Sequence, residues 1–111
     1  MTSTLVTLLY SLTKDTFNVK ETMSLLRHNL PIYWSWGVSS VTNVSDKGLL
    51  LKVNGHHHKS YVFITLAFDD TYTVHIISNR GNVLNTYEMV YFDMLVEVID
   101  NRIEKIPDYK F

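Results

Sequence analysis

The short connections between apolar, β-type segments are the feature that most constrains this fold. Tyr61 to Phe68 and Thr71 to Ser78 are rich in β-branched and aromatic residues, and only Asp69-Asp70 separates them. A parallel pair of strands needs a crossover of about a dozen residues or more. The connection is too short for that, so the two segments are predicted to form an antiparallel hairpin.

Two further β-type segments precede this hairpin. Tyr33 to Val44 and Leu49 to Val53 are joined by Ser45-Asp46-Lys47-Gly48, a composition typical of a tight turn. Within the first segment, Trp34, Trp36 and Val38 share one parity whereas Val41 has the other. The shift in parity predicts a β-bulge near Ser39-Ser40.

A fifth, weaker strand is predicted after the hairpin, from Val83 to Tyr87, following the turn residues Asn79-Arg80-Gly81-Asn82.

Helical spacing of apolar residues is confined to the two ends of the chain. Leu5, Leu8, Leu9 and Leu12 form one stripe, which predicts a first helix.

A second helix is predicted from Val19 to Asn29. Asn18 and Glu21 have the spacing of a capping box at its start, and Pro31 is expected to end it. The last helix is predicted from about Tyr91 to Ile106. Its apolar stripe consists of Phe92, Leu95, Val96, Ile99 and Ile103. Its solvent-facing carboxylates are Asp93, Glu97, Asp100 and Glu104.

This order predicts an α+β fold in a single domain, residues 1–111. An antiparallel meander of about five strands, from Tyr33 to Tyr87, carries the N-terminal helices and the C-terminal helix (about Tyr91 to Ile106) packed on it. The strand Tyr61 to Phe68 is apolar in both parities, so both of its faces should be covered. Either the N-terminal leucine helix covers the second face, or a second copy of the chain does so in a dimer.

Composition excludes several kinds of function. Ten Lys and Arg against eleven Asp and Glu give no overall attraction to nucleic acid or to an anionic membrane. The absence of cysteine excludes disulfides, thiolate catalysis and cysteine-ligated metals. The apolar segment Thr4 to Leu12 is shorter than the ~20 residues of a membrane-spanning helix and lacks the features of a signal peptide. We therefore expect a cytoplasmic protein without membrane contact.

Known catalytic motifs are also missing. The chain contains no Gly-x-Ser-x-Gly, no phosphate-binding loop and no His-Glu-x-x-His. The prediction is a protein that is not an enzyme, without a cofactor and without an obligatory metal. The run His56, His57, His58 leaves one alternative open, since imidazoles bind Zn, Ni or Cu and His75 could add a ligand. A hydrated hairpin tip is the simpler interpretation of the same residues.

A second alternative is binding of single-stranded nucleic acid. Trp34 and Trp36 would lie on one face of a strand, where bases could stack on them while Lys52 and Lys59 follow the phosphates. Between Thr16 and Ser60 the chain has five basic and two acidic residues, a local excess of three. Against this alternative, tryptophans on a sheet face are more often part of the core.

Four segments resemble small proteins carried by phages and mobile elements of gut bacteria, from about residue 19 onward. They are Tyr33-Trp34-Ser35-Trp36-Gly37, Lys52-Val53-Asn54-Gly55-His56, Asp70-Thr71-Tyr72-Thr73-Val74 and Val90-Tyr91-Phe92-Asp93-Met94-Leu95. Proteins of this kind have no assigned chemistry, so the resemblance implies a context and no functional residues. That context is an intracellular accessory protein that binds and modulates a host or viral component.

The leading hypothesis from the sequence is a small, non-enzymatic interaction module. Its partner is expected to be another protein or a second copy of the chain rather than nucleic acid. The residues predicted for its binding surface are Trp34, Trp36, Lys52, His56, His58 and Lys59.

Overall fold

The computed structural model describes residues 3–28, 30–54 and 60–103. Its centre is a five-stranded antiparallel sheet in which every strand pairs with the next along the chain. The strands are β1 (Ser40–Val44), β2 (Gly48–Lys52), β3 (Tyr61–Leu66), β4 (Tyr72–Ile77) and β5 (Val83–Val90). The predicted α+β fold and meander are confirmed, including the central β3–β4 hairpin.

Four helices flank the sheet in the described part of the chain. They are α1 (Ser3–Leu12), α2 (Val19–Arg27), α3 (Leu30–Ser35) and α4 (Leu95–Ile103). The predicted cap of α2 is present, because the Asn18 side chain accepts a hydrogen bond from the Glu21 amide at 3.1 Å. No helix among the described residues has the length and apolar character needed to cross a membrane.

The predicted strand Tyr33 to Val44 is wrong in its first half. Residues 30–35 form α3, and Pro31 lies in the first turn of that helix. Proline is tolerated there because an N–H group in the first turn has no hydrogen-bond partner within the helix. Pro31 therefore lies at the start of a new helix, and α2 ends earlier than predicted, at Arg27. The chain leaves α3 through Gly37, which has a φ of +61°, and enters β1 only at Ser40.

The predicted bulge near Ser39-Ser40 is also wrong. The pairing of β1 with β2 runs without interruption from Ser40↔Lys52 to Val44↔Gly48. Register shifts occur instead between β4 and β5. The change of parity that suggested a bulge is the boundary between helix α3 and strand β1.

One face of the sheet packs against α2 and α4, and we call it the α2–α4 face. Leu26 of α2 and Leu95 and Ile99 of α4 are fully buried there. With them lie the inward residues of the central strands, including Leu49, Leu51, Val62, Ile64, Val74 and Ile76. This cluster is the main hydrophobic core.

The opposite face packs against α1, and we call it the α1 face. Leu9 is 1% exposed and forms a cluster with Val44, Leu50, Phe63 and Ile77. Leu8 and Leu12 pack against its margin. Helix α1 thus covers the second apolar face of β3, which is the first of the two alternatives stated for that face.

Helix α4 is shorter than predicted at its start, since it begins at Leu95 after a turn. Phe92, expected on the buried stripe, is 67% exposed because it lies in that turn. Asp100, expected in solvent, is half-buried and accepts a hydrogen bond from the core residue Trp36. Glu104 to Ile106 lie outside the described residues.

Candidate functional site: a groove at the sheet edge

The structure separates the two tryptophans that the sequence placed on one surface. Trp36 is fully buried, and its Nε1 donates to Oδ1 of Asp100 at 3.1 Å. Its ring packs against Tyr33, with centroids 5.8 Å apart. Trp34, two residues earlier in helix α3, is 69% exposed. The expected common face is wrong because the segment is a helix and a turn, so the two rings do not form one stacking platform.

Of the other predicted binding residues, Lys52 alone lies within the described part of the chain. Lys52 is exposed, and its Nζ lies 5.7 Å from the ring centroid of Tyr61, its cross-strand partner. His56, His58 and Lys59 lie outside the described residues, and the structure neither supports nor opposes a role for them. Within residues 3–28, 30–54 and 60–103, no group of three or more His, Asp or Glu side chains could hold a metal.

A concave groove lies between helix α2 and the edge of the sheet. Its volume is about 680 Å³. We call it the α2–β1 groove. It is lined by Val19, Lys20, Met23, Ser24 and Arg27 of α2, by Val41 and Asn43 of β1, and by Leu49 of β2.

The helical repeat explains the chemistry of the groove wall. Val19, Thr22 and Leu26 face the core and are buried. Lys20, Ser24 and Arg27 follow the spacing i, i+4, i+7 and form a neighbouring polar stripe directed toward the sheet edge. The wall is therefore cationic, and its base is apolar because Met23 and Val19 lie beside Val41 and Leu49.

Strand β1 is the sheet edge that borders this groove. It pairs with β2 on one side, and no described strand pairs with its other side. Its sequence, Ser-Val-Thr-Asn-Val, contains neither a charge nor a proline, the usual means by which an exposed edge is protected. Val41 is exposed on the groove side.

The opposite edge, β5, is different. Its pairing with β4 is interrupted twice, and Met89 has a left-handed φ of 54°. Irregularities of this kind twist an edge away from further pairing, and the exposed Glu88 adds a charge. Of the two edges, β1 is the one that can accept another strand.

Sequence reasoning missed this groove. Val41 was used only to infer a bulge, and the residues of the second helix were given no part in a binding surface. One usable signal was present: a short, uncharged strand at the start of a meander must be an edge. The cations Lys20 and Arg27 share a helical face. Their approach to β1 is a matter of helix docking, and the pattern alone does not determine it.

His75, considered above as a possible metal ligand, lies on the α1 face, away from the groove. It is 5% exposed, and its Nε2 lies 3.2 Å from Oγ1 of Thr65. Burial lowers the pKa of His75 from 6.5 to about 4, with a smaller contribution from the Lys14 ammonium. The imidazole is therefore neutral at physiological pH.

Comparisons of this chain with protein-family models, with curated proteins and with solved structures found no match.

Proposed function

We propose that this protein is a non-enzymatic interaction module whose α2–β1 groove binds an extended, acidic and apolar segment of a partner protein. The observation that carries the proposal is the combination of an open strand edge with a groove that has an apolar base and a cationic wall. The segment would add a strand to β1, the recognition mode known as β-augmentation.

Each part of the groove has a role in this binding mode. The free edge of β1 supplies main-chain hydrogen bonds, which give affinity without sequence preference. Side chains of the bound strand alternate between the two faces of the sheet, so every second one would enter the groove. Among the side chains that enter the groove, apolar ones would be buried against Met23, Val41 and Leu49, and carboxylates would lie near Lys20 and Arg27.

Two other occupants fit the groove less well. A second copy of β1 would place Ser-Val-Thr-Asn-Val against Lys20 and Arg27, and this sequence has no carboxylate to pair with them. Single-stranded nucleic acid binds through aromatic stacking and a track of cations. No aromatic ring lines the groove, and Lys20 and Arg27 are its only cations among the described residues.

A module of this kind fits the accessory role implied by the resemblance to phage and mobile-element proteins. Such a protein would meet its partner in the cytoplasm and alter its activity by occupying an exposed segment. The proposal needs no cofactor and no metal, because main-chain pairing, apolar burial and ion pairing supply the binding energy.

The direct test uses a fluorescein-labelled peptide of about ten residues, long enough to pair with a strand of typical length. Thr occupies every second position of this peptide, and Val and Glu alternate at the positions between, so that one face of the strand carries both apolar and acidic side chains. We expect saturable binding, with slower hydrogen exchange of the β1 amides when peptide is bound. Replacing every Glu of the peptide with Lys should abolish binding. Light scattering on the same samples shows whether the protein is monomeric.

Charge-reversal variants locate the peptide. The double variant Lys20→Glu and Arg27→Glu should weaken binding roughly tenfold or more, since like charges now face each other. Arg80→Glu is the matched control, because Arg80 is exposed in the β4–β5 turn, outside the groove. Equal binding by all three proteins, a preference for an oligo-dT strand, or a dimer that excludes peptide would each refute the proposal.

A further inference from the structure

A second cavity lies on the α1 face, on the other side of the sheet from the groove. Its volume is about 240 Å³, and it lies between the end of α1 and strands β3, β4 and β5. We call it the His75 cavity. Four hydroxyl groups line it, those of Ser11, Thr65, Thr73 and Thr86.

The cavity exists because α1 covers only part of this face. Leu9 of α1 packs on Leu50 and Phe63, over the β2 and β3 side. The helix ends at Leu12, and the chain is held to the end of β3 by the Asp15 amide, which donates to the Leu66 carbonyl at 3.2 Å. Thr86 and Glu88 of β5 remain exposed, and the space beside them is the cavity.

His75 lies in the wall of this cavity and has a buried nitrogen atom without a hydrogen bond. Its Nε2 is close to Thr65 Oγ1, but its Nδ1 is buried and has no hydrogen bond. Buried nitrogen atoms in folded proteins nearly always have a partner from the protein, from water or from a ligand. Because Nδ1 has almost no accessible surface, His75 is a buried neighbour of the cavity rather than a direct contact for its contents.

Two opposite charges flank the same space. Lys14 and Glu88 both line the cavity, and each is exposed enough to reach a molecule inside it. Lys14 is also close enough to His75 to lower the pKa of that imidazole. A ligand that satisfies the whole lining therefore needs one negative and one positive group, separated by a short frame.

The size of the cavity limits the ligand further. Binding sites for drug-sized molecules have volumes of about 300–1,000 Å³, and this cavity is smaller. One water takes up about 30 Å³ in the liquid, so the space corresponds to a molecule of fewer than roughly ten non-hydrogen atoms. Free amino acids with small side chains meet both the size and the charge requirement.

We propose that the His75 cavity is a binding site for a small zwitterion, a free α-amino acid with a small side chain. Its carboxylate pairs with Lys14 and accepts from the threonine hydroxyls, and its ammonium pairs with Glu88. The buried His75 ring lies beside the bound ligand in the wall of the cavity. This site is independent of the proposed groove, because it lies on the opposite face.

Other ligands use the lining less completely. A metal ion would find His75 and Glu88 but would be repelled by the Lys14 ammonium in the same cavity. A neutral polyol would bond to the hydroxyls and leave both charges without a partner. A simple carboxylate or a simple amine would engage one charge and meet repulsion from the other.

The test is nitrogen NMR of the histidine side chain in uniformly labelled protein, which reads Nδ1 and Nε2 of His75 directly. Glycine, alanine and serine are the probes, with acetate, methylammonium and glycerol as controls at equal ionic strength. We expect saturable shifts of the His75 signals with the zwitterions only. Absence of a shift with all three zwitterions, or equal shifts with acetate or glycerol, would overturn the proposal.

Variants of the two charged residues make the test specific. Glu88→Gln and Lys14→Met replace exposed side chains, so both proteins should fold. Each should weaken zwitterion binding roughly tenfold or more, because a charge-assisted hydrogen bond is lost. Glu97→Gln and Lys52→Met, exposed elsewhere, are the matched controls. Unchanged affinity in both Glu88→Gln and Lys14→Met would exclude this site.

Discussion

His75 makes the stability of this small fold dependent on pH. Its pKa is lowered from 6.5 to about 4 in the folded protein, first by burial and second by Lys14. Glu88 and Lys14 are the charged groups that share its cavity. The unfolded chain binds a proton near pH 6.5, whereas the folded protein does so only near pH 4. Folding is therefore favoured fully above pH 6.5, and this contribution is lost as the pH falls toward 4.

Urea unfolding at a series of pH values checks this prediction. Stability should decline between about pH 6.5 and about pH 4 in the wild type, and His75→Gln should flatten that decline. His28→Gln is the control, because its side chain is exposed. Asp69, whose pKa is lowered below 3.8 by hydrogen bonds from Thr71, contributes mainly at lower pH. An unchanged pH profile in His75→Gln would show that His75 is not buried as the structure has it.

The two tryptophans should report their different surroundings in fluorescence. In the Trp34→Phe variant, the remaining Trp36 is fully buried, so its emission should resist quenching by iodide. In the Trp36→Phe variant, the exposed Trp34 should be quenched readily. Trp36→Phe should also cost about 1.5 to 3 kcal/mol, since the hydrogen bond to the Asp100 carboxylate is lost. Equal quenching of both variants would contradict the separation of the rings.

The sequence identified individual candidate binding residues, but it did not show which of them lie together in the fold. Trp36 was predicted with Trp34 on the binding surface, although tryptophans on a sheet face are more often part of the core, and its burial corrects that prediction. That Trp34 faces away from the core was missed, because alternation within Tyr33-Trp34-Ser35-Trp36 resembles a strand. Whether residues two apart share a face depends on the backbone, and in a helix they lie about 200° apart.

At the scale of elements, strand β2 begins with Gly48 because Phe63 leaves no room for a larger side chain at that position. A Cβ built on Gly48 would lie 2.3 Å from Cζ of Phe63, which fills the space above it on the α1 face. Gly48→Ala should therefore cost about 1 to 3 kcal/mol through overpacking. The shorter side chain in Phe63→Leu should relieve part of that cost, giving a favourable coupling in a double-mutant cycle measured by urea unfolding.

Gly81 provides the control for that cycle. It has a φ of +84°, and no neighbouring atom lies within 4 Å of the position that a Cβ would take there. Gly81→Ala should therefore cost backbone strain only, about 1 to 2 kcal/mol. Phe63→Leu should not relieve it. Coupling of equal size in both cycles would show that Phe63 does not fill the space above Gly48.

Helix α4 should depend on one face far more than on the other. Ile99 is fully buried against the α2–α4 face, so Ile99→Ala should cost ~2 to 5 kcal/mol. Glu97 is exposed, and Glu97→Ala should change stability by less than about 0.5 kcal/mol. Urea melts of the two variants are the measurement. Equal effects would show that the face of α4 that carries Ile99 is not the one that packs on the sheet.

Elements with a repeated apolar pattern were predicted well. Helix α2 follows from a period of 3.6, and β2, β3 and β4 were predicted within two residues of their observed ends. The short turns between strands determine the antiparallel pairing. The first strand was predicted to begin at Tyr33 rather than Ser40, and the fifth to end at Tyr87 rather than Val90. Helix α3 was not predicted, because six residues with a proline and two aromatic rings carry no helical period. The start of α4 moved to Leu95 because Phe92 had the right spacing but lies in a turn.

At the scale of the whole molecule, the sheet separates two proposed sites. The α2–β1 groove lies on one face, and the His75 cavity lies on the other. Both arise where a helix covers its face incompletely: α2 leaves β1 open, and α1 leaves β5 open. How far a helix extends across a sheet depends on docking between distant segments, so neither site could be read from local patterns.

The cover supplied by α1 leads to a prediction for the whole molecule. Leu9 is 1% exposed and shields Leu50, Phe63 and Ile77 from water. Leu9→Asp places a charge in this cluster, which should detach α1 and cost at least the ~2 to 5 kcal/mol of a buried leucine. The exposed apolar face should then bind a hydrophobic dye and associate, so that the mass from light scattering rises with protein concentration.

Ser11→Asp is the matched control, because it adds the same charge to an exposed position of the same helix. It should remain like the wild type in mass, dye binding and urea unfolding, since nothing apolar is uncovered. Suppose instead that Leu9→Asp were as stable as the wild type and unchanged in mass. Helix α1 would then not be the cover of the α1 face, and a second copy of the chain would become the better candidate for that role.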